Sequence, residues 1–368
     1  MQQLFFELIR VALGNKELLE RVPTEKEWAM LFNMACKQSL AGIVLEGVNR
    51  LSEKMPSVKP PINILYEWIG LQQQTISQNK RQDLRAKELY ALFKKHDFRG
   101  CVLKGQGTAL YYKGPEHREC GDIDIWVSTD VESKTDDVRR RVLQFVKEKG
   151  FHIGHVDIKH SDVDFFEDVP VEVHFIPSWM YSPFSNRKLQ RFFEDKKERQ
   201  FANIDEKLGF AHTTVDFDLV FSMVHIYRHI FSEGIGLRQL VDYYYILQNS
   251  TEKQRSEALE MLKSLRMSGF VGGIMWILME CFGMDIKYSL CPSGERHGEF
   301  LLSEIMAAGN FGHFDDRINQ VSKEKKFKRG FVQLGRNLRF VSYYPSEVLW
   351  SPFWKLWHWG WRKRKGYL

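Results

Sequence analysis

The sequence predicts an α+β fold: a small mixed-sheet core flanked by N-terminal and C-terminal helical regions. Three observations carry this. Apolar residues recur at helical intervals through roughly the first ninety positions, short alternating segments occupy about 98–185, and the helical period then returns to about residue 345. The units expected are therefore 1–97 (helical), 98–185 (α/β core), 186–345 (helical) and 346–368 (a Trp-rich basic tail).

In the first unit Thr24 and Glu27 stand at capping-box spacing, and Trp28, Leu31, Phe32, Ala35 and Leu40 follow at helical intervals. Pro56, Pro60 and Pro61 break the pattern. A second helix is predicted from Ile64 to His96, with Ile76, Leu84, Leu89, Leu92 and Phe93 on its apolar face. The core begins with a strand at Cys101–Leu103 running into Lys104-Gly105-Gln106-Gly107, and a helix starts over Thr108–Tyr112. Alternation predicts a strand over Gly121–Val127. An amphipathic helix is expected over Val131–Gly150, then a hairpin of Val163–Phe166 and Val169–Phe175 turning at Glu167-Asp168. In the third unit turns are expected near Gly234, Gly269 and Pro292. The longest apolar stretch, Phe270–Met284, is interrupted by Gly272, Gly273 and Glu280 and predicts a buried helix rather than a membrane span.

Composition narrows the function classes. Hydrophobic residues make up 43% and charged residues 27% of the 368 positions, which excludes low-complexity disorder. The five cysteines are odd in number and contain no C-x-x-C pair, which argues against zinc knuckles or a disulfide framework and fits a cytoplasmic protein. The N-terminal stretch has neither a basic n-region nor a small-residue cleavage site. A net charge of +6 spread over 53 basic and 47 acidic residues does not itself indicate nucleic acid. The basic runs at 323–329 and 362–365 read as solvated faces, and no basic stripe interleaved with aromatics adjoins the α/β unit, so no specific nucleic acid is expected.

The chemistry centres on Gly121-Asp122-Ile123-Asp124-Ile125. Period-two alternation puts both aspartates on one face, about 7 Å apart, while Ile123, Ile125 and Val127 point to the other. Such a pair alone is weak, since about six acid-x-acid pairs are expected by chance in this composition. Val171, Val173 and Phe175 alternate with Glu172 and His174, however, so a third carboxylate stands on one face of a neighbouring strand. Three acids brought together repel unless cations neutralise them, and a metal site is the simplest resolution.

Val102-Leu103-Lys104-Gly105, Arg118-Glu119-Cys120-Gly121-Asp122-Ile123-Asp124-Ile125, Val171-Glu172-Val173-His174 and Gly236-Leu237-Arg238-Gln239-Leu240-Val241-Asp242 occur in this order. In that pattern the chain resembles the polymerase-β-type nucleotidyltransferases, and more closely the bacterial family of uncharacterised nucleotidyltransferases. The resemblance implies a nucleotidyltransferase core in which two Mg²⁺ ions, or Mn²⁺, lie between Asp122, Asp124 and Glu172 and a nucleoside triphosphate. An unidentified acceptor hydroxyl then attacks and pyrophosphate leaves. Glu172 is also a candidate general base. Lys104 and Arg118 are candidate phosphate clamps, because their donors suit phosphoryl oxygens. Where the wider superfamily has Gly-Ser or Gly-Gly after the first strand, Gln106 follows Gly105, so phosphate contact is expected from the backbone N–H groups of Gly105, Gln106 and Gly107. His174 either positions substrate or packs in the core. His225 and His229 share a helix face without the glutamate of a zinc protease, so His225 is expected to line the cleft with Arg238 and Asp242, unless those two form an internal i, i+4 salt bridge.

Two rival readings remain at this level: a D-x-D glycosyltransferase, which would place a doubly wound sheet before the motif, and a non-catalytic nucleotide-binding protein. The tail also carries two readings. Trp350 to Trp361, followed by Arg362-Lys363-Arg364-Lys365, suits peripheral contact with the inner face of a membrane through 350–365. It equally suits a helix from Ser351 packing Phe353, Trp354, Trp357 and Trp361 onto the helical domain.

Overall fold

The computed structural model describes residues 1–129, 134–232, 234–309 and 339–367. The basic run at 323–329, residues 131–133 of the expected amphipathic helix and 310–338 of the expected helical region lie outside them.

Four helices open the chain: α1 (Gln2–Leu13), α2 (Glu25–Lys37), α3 (Ala41–Lys54) and α4 (Ile62–Lys95). The capping box is present at α2, where the Thr24 hydroxyl accepts the Glu27 N–H and Glu27 accepts the Thr24 N–H at 2.8 Å. Helix α4 follows Pro61. Its buried stripe differs from the expected one: Leu89 and Phe93 belong to it, but Leu84 is exposed and Ile76 only partly buried. Gln72, Thr75, Asn79 and Gln82 occupy the middle of the stripe instead, because that part of α4 packs against loop backbone that needs hydrogen-bond donors.

The sheet contains β1 (Phe98–Leu103), β2 (Ile123–Thr129), β3 (Ile153–Val156), β4 (His160–Val163) and β5 (Val171–His174) in the order β1-β2-β5-β4-β3. Only β2 and β5 run parallel, and α6 (Thr135–Glu148) with the β3–β4 hairpin supplies their crossover. The hairpin expected at 163–175 is real but displaced: β4 ends at Val163, and 164–170 connect it to β5. Strand β3 was not expected. It is an edge strand, and Gly154 and His155 interrupt its alternation.

Ile123, Ile125 and Val127 pack with Val171 and Val173 against Leu89 and Phe93 of α4 and Val142, Phe145 and Val146 of α6. The opposite face of β2 carries Asp124 and Trp126. Trp126 packs on Phe201 and Phe217 of the helices that follow, α7 (Pro183–Ala202) and α8 (Val215–Ser232). Between them a two-stranded ribbon, β6 (Ile204–Asp205) and β7 (Phe210–Ala211), interrupts the expected run of helix. Helices α9 (Leu237–Gln248), α10 (Glu252–Ser264), α11 (Ser268–Glu280) and α12 (Glu295–Ala308) share one large core with α1, α2 and α3. Gly234, at φ 100°, sits in the α8–α9 turn, and the turn expected near Gly269 is centred on Arg266, φ 63°. The apolar stretch is the buried helix α11, and among the described residues no helix is long and apolar enough to cross a membrane. The chain ends in α13 (Pro345–Lys365).

Candidate active site

At the end of β1 the chain turns sharply through Lys104 and Gly105, both with positive φ (48° and 54°), into the one-turn helix α5 (Gly105–Ala109). A Cβ on Gly105 would meet open space, so an approaching group can reach its backbone. Gly107 has the opposite reason to be glycine: a Cβ there would lie 2.8 Å from the His212 side chain. Gln106 turns away from the turn and donates to Asp83 of α4.

The loop from Tyr112 to Gly121 is held from several sides. Asn79 Nδ2 donates to the carbonyls of Glu116 (2.9 Å) and Arg118 (2.8 Å), and Gln82 Nε2 to that of Gly121 (2.6 Å). Glu119 accepts the first N–H of α3, from Ala41, at 3.1 Å. Arg118 donates through Nε and Nη2 to the two carboxylate oxygens of Asp242 on α9, at 2.7 and 2.9 Å, and the Tyr112 hydroxyl donates to the same carboxylate. Arg118, the candidate phosphate clamp, is thus a buried guanidinium engaged by Asp242 that also lines the cleft beside the carboxylates. Arg238, expected to line the cleft unless it paired with Asp242, donates Nη1 to the Glu119 carbonyl at 2.7 Å, and the fork of Arg118 occupies both Asp242 oxygens.

This loop delivers Asp122 to the start of β2. Asp124 follows on the strand, directly beside Glu172 in the parallel β2–β5 register. One oxygen from each of Asp122, Asp124 and Glu172 lies within 4.8 Å of the others. Their side chains are 34%, 2% and 26% exposed, so the cluster opens to solvent on the Asp122 side. Lys104 Nζ lies 2.9 Å from Asp124 and 3.9 Å from Asp122. His174 Nε2 sits 2.7 Å from Asp124 Oδ1 and 3.1 Å from Glu172 Oε2; both neighbours only accept, so Nε2 carries the proton. Lys159 and His160 approach Glu172 from β4, at 3.8 and 3.2 Å.

These contacts separate the three acids. Burial and the Asp124 charge push Asp122 above the usual carboxylate range, Lys104 notwithstanding. Burial works against ionisation of Asp124 and Glu172 too, but Lys104 and His174 outweigh it at Asp124, and His174, Lys159 and His160 at Glu172, so both stay below that range. Burial likewise works to lower Lys104, and the three carboxylates overcome it and hold the ammonium charged. Burial and Lys159 bring His160 down to about 4.

A narrow cleft of about 40 Å³ runs from the carboxylates between α5, α8 and α9, lined by Thr108, Ser222, His225, Ile226, Arg238 and Gln239. The structure therefore places His225 at the cleft together with Arg238 and Asp242. The His225 ring centroid lies 4.2 Å from that of His229, and among the described residues neither belongs to a cluster able to hold a metal. A larger cavity of about 280 Å³, beside Ser128, Arg139 and Gln190, touches none of the three carboxylates. The donor set suits hard divalent cations, because three carboxylate oxygens converge and the cluster is already facing cationic side chains. No doubly wound sheet precedes Asp122; five α-helices and one strand do, contrary to what the glycosyltransferase reading required.

Sequence reasoning missed Lys159, His160, Asn79 and Gln82. The alternation of His160 and Asp162 with Ser161 and Val163 was a usable signal for β4. The two amides carried none, since polar residues on a long helix ordinarily face water.

A family model described as an uncharacterised nucleotidyltransferase matches residues 24–283, which include every carboxylate and cation of this site. No curated protein matches the chain.

Proposed function

The chain belongs to the family of uncharacterised nucleotidyltransferases, and from that premise we propose that it moves a nucleoside monophosphate from a nucleoside triphosphate to an acceptor hydroxyl, releasing pyrophosphate, with divalent cations, Mg²⁺ by preference, held by Asp122, Asp124 and Glu172. The observation that carries this reading is the convergence of those three carboxylates on two adjacent parallel strands, open on the Asp122 side. When bound, such cations neutralise phosphate charge, acidify the attacking hydroxyl and stabilise the departing oxygen.

The chain's own residues have distinct tasks in this proposal. Lys104, charged and on a flexible stem beside the Gly105 turn, meets phosphate oxygens together with the exposed backbone of that turn. Arg118 positions Asp122 through its tether to α9. His174 donates Nε2–H within the Asp124–Glu172 pair and holds the two carboxylates in register. Glu172, whose proton affinity is lowered, acts as a ligand before it acts as a base. The acceptor enters on the side walled by α8 and α9, where Ser222, His225, Arg238 and Gln239 line the cleft.

The test is transfer of label from α-labelled ATP, CTP, GTP and UTP, with Mg²⁺, to compounds of a cell extract, followed by mass spectrometry of the product. Transfer is expected with at least one nucleotide. Asp122→Asn and Asp124→Asn are each expected to lower it by about a hundredfold to a thousandfold without loss of helical circular dichroism. Undiminished transfer by either variant sinks the assignment.

A further inference from the structure

The two faces of α13 meet different surroundings. The inner face repeats at three- and four-residue spacing through Glu347, Ser351, Trp354, His358 and Trp361, and it docks on the protein. Glu347 accepts the N–H groups of Tyr181 and Ser182 at 2.7 and 3.0 Å, just before α7. Trp354 stacks on Trp179 with ring centroids 3.7 Å apart and planes at 10°. Trp361 lies beneath the Arg139 guanidinium, 4.9 Å away. These contacts set the rotation of the helix, and they correct the packed stripe expected from sequence: Trp354 and Trp361 are on it, but Phe353 and Trp357 are not.

What this rotation leaves outside is an apolar face. Leu349, Trp350, Phe353, Leu356, Trp357 and Trp359 are between 37% and 70% exposed. Phe184, at the start of α7, is 70% exposed and extends the face beside Trp350. A contiguous exposed patch of large aromatics marks an interaction surface. The charges that α13 adds to this outer face have one sign. Lys355, Lys363 and Arg364 are exposed, Lys365 pairs with Asp136 at 3.3 Å on the docked side, and the only acid of α13, Glu347, is buried on the inner side. A second copy of this helix would offer these cations no acidic partner. A bilayer containing anionic lipid offers phosphate to the cations and an interfacial layer to the indoles.

We propose that α13 lies in the plane of an anionic bilayer surface, with Trp350, Phe353, Leu356 and Trp357 in the interfacial layer and Lys363 and Arg364 against headgroup phosphates. The helix is an interfacial element and not a span. One turn links it to the candidate active site: Ile158 lines the groove beside Trp354 and Trp357, and the next residue, Lys159, reaches Glu172. The inference rests on α13 alone and stands whether or not nucleotidyl transfer is found.

Co-sedimentation of the full chain tests it, using vesicles of phosphatidylcholine alone and vesicles containing phosphatidylglycerol, at low and high salt. Binding is expected to the phosphatidylglycerol vesicles and to weaken with salt. The double variant Lys363→Gln, Arg364→Gln should lose about thirtyfold in partitioning. The pair Phe353→Ser, Trp357→Ser should lose at least about tenfold, and brominated lipid should quench tryptophan fluorescence in the wild type only. All these side chains are on the outer face, so thermal unfolding should be unchanged. Failure of the wild type to sediment with phosphatidylglycerol vesicles overturns the proposal. So does a wild-type dimer in analytical ultracentrifugation that Phe353→Ser converts to monomer, because a second copy would then be the occupant.

Discussion

Two assemblies of buried carboxylate and cation stand on either side of the Asp122 loop, and they are built to opposite ends. In the first, Arg118 and Asp242 meet fork to fork, with the Tyr112 hydroxyl adding a third donor. The charges cancel one to one and the geometry is closed. In the second, Asp122, Asp124 and Glu172 face Lys104, Lys159 and the single Nε2–H of His174, and two of the contacts are as long as 3.8 and 3.9 Å. Ammonium groups on flexible stems are point charges that can yield to a competitor, whereas a guanidinium fork on a carboxylate cannot do so without losing two bonds at once. The comparison teaches that proximity of opposite charges does not identify a site. The open side, the surplus of carboxylate oxygens and the mobile cations do.

The largest expected effect breaks the closed assembly. Asp242→Ala leaves the Arg118 guanidinium buried without its partner and should cost about 3–5 kcal/mol of unfolding free energy, read from urea denaturation, while also releasing the loop that carries Asp122. Asp122→Asn, on the open side, should change stability by under about 1 kcal/mol. If Asp122→Asn destabilises more than Asp242→Ala, the distinction drawn here is wrong.

A third acid sharpens the comparison because it faces no cation among the described residues. Asp218 is fully buried on α8 and accepts from the Tyr111 hydroxyl at 3.2 Å. Burial pushes its carboxyl up to about 7. The folded chain therefore binds more protons than the unfolded chain between about pH 4 and pH 7, so this residue's contribution is intact in acid and is lost as pH rises through 7. Asp218→Asn keeps an acceptor for Tyr111 and removes the titration. Its stability relative to wild type should climb from near zero around pH 4 toward about 4 kcal/mol at alkaline pH, measured as the difference in thermal unfolding across that range. A pH-independent difference would show that Asp218 stays ionised and is neutralised by a cation.

A smaller effect than that of Asp242 or Asp218 concerns the polar stripe of α4. Gln82→Leu removes the donor to the Gly121 carbonyl and should cost about 1–3 kcal/mol, with loss of kcat exceeding any change in KM for nucleotide, since the amide supports the loop and not the triphosphate. An unchanged kcat would mean that the loop holds its shape without α4.

How far these features were legible in the sequence follows from the signals each leaves. Strands with one buried face advertise themselves by alternation, so β2 and β5 and the pairing of Asp124 with Glu172 could be foreseen. The capping box at Thr24 and the buried helix α11 were equally visible. What escaped depends on long-range partners. Arg118 offers the same five donors to a phosphate as to Asp242, and nothing local to either residue tells that they meet across 124 positions. Asn79 and Gln82 are polar and buried because the loop backbone they serve arrives from elsewhere in the chain. The rotation of α13 depends on Glu347 finding Tyr181 and Ser182, and so the spacing of its tryptophans alone could not say which of them remain outside.

The proposed function requires that the open assembly exchange its side-chain cations for divalent ones, while a buried acid outside it, such as Asp218, takes no part in the exchange. Titration of Mn²⁺ followed by electron paramagnetic resonance, with ATP present, tests this most directly on the wild type, Asp124→Asn and Asp218→Asn. The account predicts Mn²⁺ uptake by the wild type and by Asp218→Asn alike, and a loss of at least about a hundredfold in affinity for Asp124→Asn. Uptake by Asp124→Asn with wild-type affinity would contradict it.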